Sequence, residues 1–191
     1  KNLEIDRSSS KSFQKVMSTG KPVMGGPSVS RSTGKLISVI SYPILENGRT
    51  TGIVYGTIEL EALSDIVGEF KFMDTGYVYV IDESGICIGY KQLPEAVGKL
   101  DLTKSDKEQP LDQRLVDGFK EVLETDKVVS TYYTTRKGVH NKAVLTPVHH
   151  AGRRWVAIAC APVSEVEAAS TMLLKAMLGI SVITILIAVG V

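Results

Sequence analysis

Two stretches of this 191-residue chain follow one plan, and that repetition constrains the fold more than any other feature. In each, a proline and an apolar residue (Pro43-Ile44, Pro147-Val148) stand five positions before a glycine (Gly48, Gly152). Each glycine leads into an apolar strand. Each strand runs out at an acidic residue and an apolar helix start, Glu61-Ala62-Leu63 in one copy and Glu165-Val166-Glu167 in the other. The chain is therefore expected to hold two similar strand–turn–strand–helix units.

The rest of the pattern fits around them. Lys35–Ile44 and Gly52–Leu60 predict strands joined at Asn47-Gly48, a dipeptide that accepts the positive φ of a tight hairpin. Gly76–Asp82 and Gly85–Tyr90 flank the turn former Asp82-Glu83-Ser84-Gly85. Leu111, Leu115, Val116, Phe119, Val122 and Leu123 recur at helical spacing. Val128–Thr135, Val139–Val148 and Arg154–Pro162 then predict a three-strand meander, with Gly138 and Gly152 at its turns. Two strands, a helical insertion and a meander make a five-stranded antiparallel sheet, and the fold class is α+β. The first unit is expected to be incomplete, opening at a helix over Ser10–Met17 without two opening strands.

Composition excludes several function classes. Twenty-two basic and 21 acidic groups leave no basic excess, so nucleic acid is not an expected partner. Two cysteines exclude a disulfide scaffold and a four-thiolate zinc site. Charge falls in blocks, with 8 basic against 4 acidic groups over residues 1–60 and 7 against 15 over 61–126. From Ala176 to Val191 no residue is charged. That run is apolar on every side and is expected to belong to a membrane helix over 172–191, with Lys175 at its edge.

The residues resemble a known family. Asp6-Arg7, Phe13, Gly20-Lys21-Pro22-Val23, Ser30-Arg31-Ser32-Thr33-Gly34-Lys35, Pro43-Ile44, Gly48, Gly52 and Leu60 are similar to the membrane-distal module of double Cache sensor domains. The stretch from Met73 to Gly89, then Gly98-Lys99, Trp155 and Pro162, resemble the membrane-proximal module. The resemblance implies two PAS-like antiparallel-sheet modules followed by a transmembrane helix. Residues 1–70 would be the C-terminal part of the distal module, 71–163 the proximal module, 164–171 a linker helix and 172–191 the anchor. It further implies the ligand-sensing region of a membrane receptor, of methyl-accepting chemotaxis type, with the sensor outside the cytoplasm and the receptor a homodimer. The alternatives are the sensor of a diguanylate cyclase or histidine kinase, or a module that binds no small molecule.

By resemblance the ligand lies in the distal module. Amino-acid-binding members carry an Arg-x-aromatic pair on the helix and an Asp near the end of the last strand. These positions fall here on Ser10, Ser12 and Thr57. The cation for a ligand carboxylate and the anion for an α-amino group are both missing. The candidate ligand residues are Ser10, Ser12, Phe13, Ser38, Tyr42, Tyr55 and Thr57. Their short hydroxyls and phenols suit a small, less charged molecule other than a free amino acid.

No catalytic set emerges: there is no Gly-x-Ser-x-Gly elbow and no His-Glu-x-x-His helix. No cofactor is implied. His149-His150 sit at an expected hairpin turn, where neighbours on a strand point to opposite faces and make poor co-ligands for a metal. In the sheet order that the resemblance implies, a strand separates Cys87 from Cys160, so two free, buried thiols are expected rather than a bridge.

Overall fold

The computed structural model describes residues 8–105, 110–150 and 152–168, and within them the fold is α+β with two antiparallel sheets. The expected membrane helix at 172–191 and the residues Asp6-Arg7 lie outside the described residues, as does the end of the expected linker helix. Its start is helical over 163–168. No helix among the described residues is long and apolar enough to cross a membrane.

The first sheet is built on one long hairpin. β3 (Leu36–Glu46) and β4 (Arg49–Glu59) pair along their length and turn at Asn47 and Gly48, both at positive φ (49° and 76°). Before them stands helix α1 (Lys11–Thr19), shifted two residues beyond the expected end because Gly20, at φ 63°, is the first position to leave the helix. Two short strands were not legible in the sequence: β1 (Val23–Met24) and β2 (Ser28–Val29). Both pair with the same edge of β3, Met24 opposite Ile40 and Ser28 opposite Ile37. At two residues each, they show no periodicity to read.

Helix α2 (Leu60–Gly68) follows β4 directly and lies against the second sheet. That sheet has the order β6-β5-β9-β8-β7, from β5 (Tyr77–Asp82), β6 (Cys87–Tyr90), β7 (Val129–Thr134), β8 (His140–His150) and β9 (Arg153–Pro162). Its faces separate by parity. Tyr79, Ile81, Val156, Ile158 and Cys160 point toward α3 (Gln113–Thr125), whose Leu115, Phe119 and Val122 complete the main core. Val78, Val80, Trp155 and Ala157 point the other way and pack with Leu60, Leu63 and Val67 of α2. A side chain fully buried in such a core contributes about 1.5–3 kcal/mol.

Local polar groups fix the corners. Asp82 is 2% exposed, and its Oδ1 accepts from Ser84 N, Ser84 Oγ and Ile86 N at 3.0, 2.6 and 3.0 Å, closing the β5–β6 turn as expected of a turn former. Asp112 caps α3. Its Oδ1 accepts from Arg114 N, and its Oδ2 accepts from the Thr134 N–H on β7 at 2.8 Å. The Arg114 guanidinium and these two N–H groups hold the Asp112 carboxyl down to about 2. A depressed carboxyl contributes stability above its unfolded value near 3.8 and loses it as pH falls toward 2. The melting-temperature gap between wild type and Asp112→Asn should therefore be constant from pH 7 to about 5 and close below about pH 4. A gap unchanged at pH 2.5 would contradict this cap.

Cys87 and Cys160 are free and fully buried, on β6 and β9 with β5 between them. Burial pushes both thiols up to about 12, so they serve as small apolar residues.

Candidate functional site

The seven candidate ligand residues do not converge. Ser10 is the N-cap of α1 and its hydroxyl accepts from Phe13 N at 3.1 Å. Ser38 is buried, and its hydroxyl donates to the Gly25 carbonyl at 2.5 Å, where the chain passes between β1 and β2. In the β3–β4 register, Tyr55 is opposite Ser41 and Thr57 opposite Val39, whereas Tyr42 is opposite Val54 and Ser38 opposite Ile58. Directly paired residues share a face and neighbours alternate. Tyr55 and Thr57 thus lie on one face, Ser38 and Tyr42 on the other, and the register shift beyond Ile44 does not alter this. Tyr42 and Tyr55 remain 40% and 51% exposed. A single pocket cannot take all four. Phe13, half-buried on α1, lines none of the clefts below.

Ser12 does reach a cleft. Lys11, Ser12, Lys15 and Thr19 form one stripe of α1, at helical spacing, beside buried Val16. The stripe lines a cleft of about 430 Å³ together with Lys21, the run Pro22–Gly26, and Gly152 and Arg153 from the β8–β9 turn of the second sheet. The sheets meet here. A Cβ on Gly152 would stand 3.0 Å from the Pro22 carbonyl oxygen, and Gly152 is at φ 71°, so only glycine suits the position.

Charge in this cleft is unbalanced. Lys11, Lys15 and Lys21 line it, and among the described residues no carboxylate does. Arg153 is held from behind by Glu83 at 2.9 Å and Asp82 at 3.3 Å. A second cleft of about 390 Å³ lies between β3, α2 and the short turn Pro94–Ala96. There the charges cancel, Lys35 against Glu59 and Lys91 against Asp65. The lining of the lysine cleft suits an anion. The four-residue spacing of Lys11, Lys15 and Thr19 was visible in the sequence. The approach of Arg153 from across the fold was not.

The C-terminal helix is also tied to the fold. Glu165 accepts from the backbone N–H groups of Asp74 and Thr75, each at 3.1 Å, and from the Thr75 hydroxyl. That hydroxyl, followed by the N–H groups, lowers the Glu165 carboxyl. The segment leaving α2 and the start of the last helix are thereby joined through one side chain.

His149 pairs with Asp126 at 2.9 Å, and the His150 ring meets Trp155 at a tilt of 42°. Among the described residues no group of three or more His, Cys, Asp or Glu side chains is placed to hold a metal.

Comparison with solved structures places this architecture among sensor domains. The extracellular domain of the putative histidine kinase mmHK1S-Z3 superposes with a TM-score of 0.67 at 21% identity, over 87% of this chain and 58% of its own. A structure titled methyl-accepting chemotaxis protein X gives 0.65 at 20% identity, over 82% and 56%. The ligand-binding domain of the Pseudomonas fluorescens chemoreceptor CtaA, in complex with L-serine, gives 0.60 at 16% identity, over 84% and 63%. The chain thus spans about three-fifths of the length of these domains. Cache domains are extracellular, non-catalytic ligand-binding domains of membrane receptors. The family model for the Cache domain, in its dCache_1 form, matches residues 4–170, and the chain belongs to that family.

Proposed function

We propose that this chain is the extracytoplasmic ligand-sensing region of a transmembrane receptor of methyl-accepting chemotaxis type. In this reading residues 1–70 belong to a membrane-distal module and 71–163 form the membrane-proximal one. Residues 164–171 are a linker helix and 172–191 a membrane helix, and the receptor acts as a homodimer. The observation that carries the reading is the lysine cleft, because it lies at the joint between the sheets. A ligand seated there touches α1 on one side and the β8–β9 turn on the other. It therefore binds unequally to two relative placements of the sheets, which is what a signal requires. The shift then passes along β9 to the helix held by Glu165, where displacements of about 1–2 Å suffice.

The ligand is a small di- or tricarboxylate. The cleft supplies ammonium groups for its carboxylates and, among the described residues, no acid in its lining for an α-amino group. A thermal-shift panel on the receptor's whole extracytoplasmic region, at matched ionic strength, tests this. Succinate, malate or citrate should raise the melting temperature, and Lys15→Gln with Lys21→Gln should abolish the rise. A panel with no shift would overturn the reading in favour of a module that binds no small molecule.

A further inference from the structure

Register decides which connections share an end of the five-stranded sheet. Tyr77, at the start of β5, pairs with Cys160 near the end of β9. Tyr79 pairs with Tyr90, the last residue of β6, and Asn141, near the start of β8, pairs with Pro162. The segment 69–76, the residues after Tyr90, the turn 135–139 and the helix over 163–168 therefore leave the sheet at one end. The lysine cleft, which the β8–β9 turn reaches, is at the other.

At the first end large apolar side chains stand in water. Phe70 and Met73 are 61% and 51% exposed, and Leu93 and Val139 are exposed as well. The loop that carries Phe70 and Met73 has a built shape. Phe72 folds back over Gly76, where a Cβ would collide with the Phe72 carbonyl and ring. Met73 holds a positive φ of 55°. Glu165 accepts from the Asp74 and Thr75 N–H groups and so ties the loop to the last helix. Glu69 and Asp74 flank the apolar pair, whereas the turn 135–139 carries two cations, Arg136 and Lys137, and no carboxylate.

Apolar side chains held in water by a fixed backbone mark a surface that something covers. The chain itself indicates what. It leaves this end through the helix over 163–168, and from Ala176 to Val191 it has no charge. Seven residues separate Glu165 from Met172, about 10 Å of helix. The headgroup layer of a bilayer is about 5–8 Å thick. We propose that this end of the sheet rests on the outer surface of a phospholipid bilayer. Phe70 and Met73 enter the headgroup layer, and Arg136 and Lys137 meet lipid phosphates. This rests on the reading of 172–191 as a membrane helix.

Spin labels on the full-length receptor, in nanodiscs of phosphatidylethanolamine and phosphatidylglycerol, test it. Cys87 and Cys160 are buried, so an introduced cysteine is labelled selectively. A label at Lys71→Cys should be several-fold less accessible to a water-soluble nickel chelate than one at Val128→Cys, an exposed position at the far end of β7. It should stay accessible to oxygen, which concentrates in lipid. Adding Phe70→Ser and Met73→Ser should raise nickel access at position 71 to the Val128→Cys level. Equal nickel access at the two positions overturns the proposal. So does low access to both reagents at position 71, the sign of a protein contact. A label at Ile183→Cys separates the two failures. If nickel reaches it, the membrane-helix reading falls and the proposal with it. If it lies in lipid while nickel reaches Lys71→Cys freely, the proposal falls alone.

Discussion

Phe119→Ala is expected to lower the unfolding free energy by about 3–5 kcal/mol. Phe119 is fully buried on α3, in the core formed with Tyr79, Ile81, Leu145 and Ile158. Truncation removes a ring that no neighbour can replace, because the sheet beneath is fixed by its ladders on both sides of β5 and β9. The loss includes the transfer of the ring and the cavity left behind. Urea unfolding should show a lower midpoint with an unchanged slope. A change below about 1 kcal/mol would mean that α3 does not hold the sheet.

Asp82→Ala is expected to cost about 3 kcal/mol, at a single surface-remote carboxylate. Three donors in the β5–β6 turn lose their acceptor, and Arg153 loses one of its two carboxylate partners. Asp82→Asn keeps an acceptor oxygen for the turn and should cost less. Arg153→Met added to Asp82→Ala should restore part of the loss, since removing both members of a buried pair is milder than removing one. Additive losses in that double variant would show that the two side chains do not interact. Arg153 of this pair lines the lysine cleft, with Asp82 behind it. The variants thus report on the joint as well as on stability.

Features set by neighbours in the chain were legible in the sequence. Asn47-Gly48 makes its hairpin because both residues tolerate positive φ. Asp82 closes its turn with residues two and four positions away. The repeated hairpin and helix start appear as β3–β4–α2 and as β8–β9 followed by helix at 163–168. Features set by register were not legible. The resemblance groups Ser38, Tyr42, Tyr55 and Thr57 as ligand residues, and the cross-strand pairing divides them between faces. Ser10 was open to a local reading, since a serine before a helix is a ready N-cap. Tyr77, Tyr90 and Tyr133 come from three strands, and only the tertiary fold places them around one cavity.

The central claim is that binding at the joint is carried out of the domain by the last helix. It is tested most directly by one inserted alanine between Glu167 and Ala168 in the full-length receptor. The insertion lies beyond the Glu165 tie and rotates everything after it by about 100°. Citrate or malate, titrated onto membranes carrying the receptor, should bind with unchanged affinity while the cytoplasmic output no longer follows the ligand. An output response of the same sign and size in the insertion variant would contradict the account.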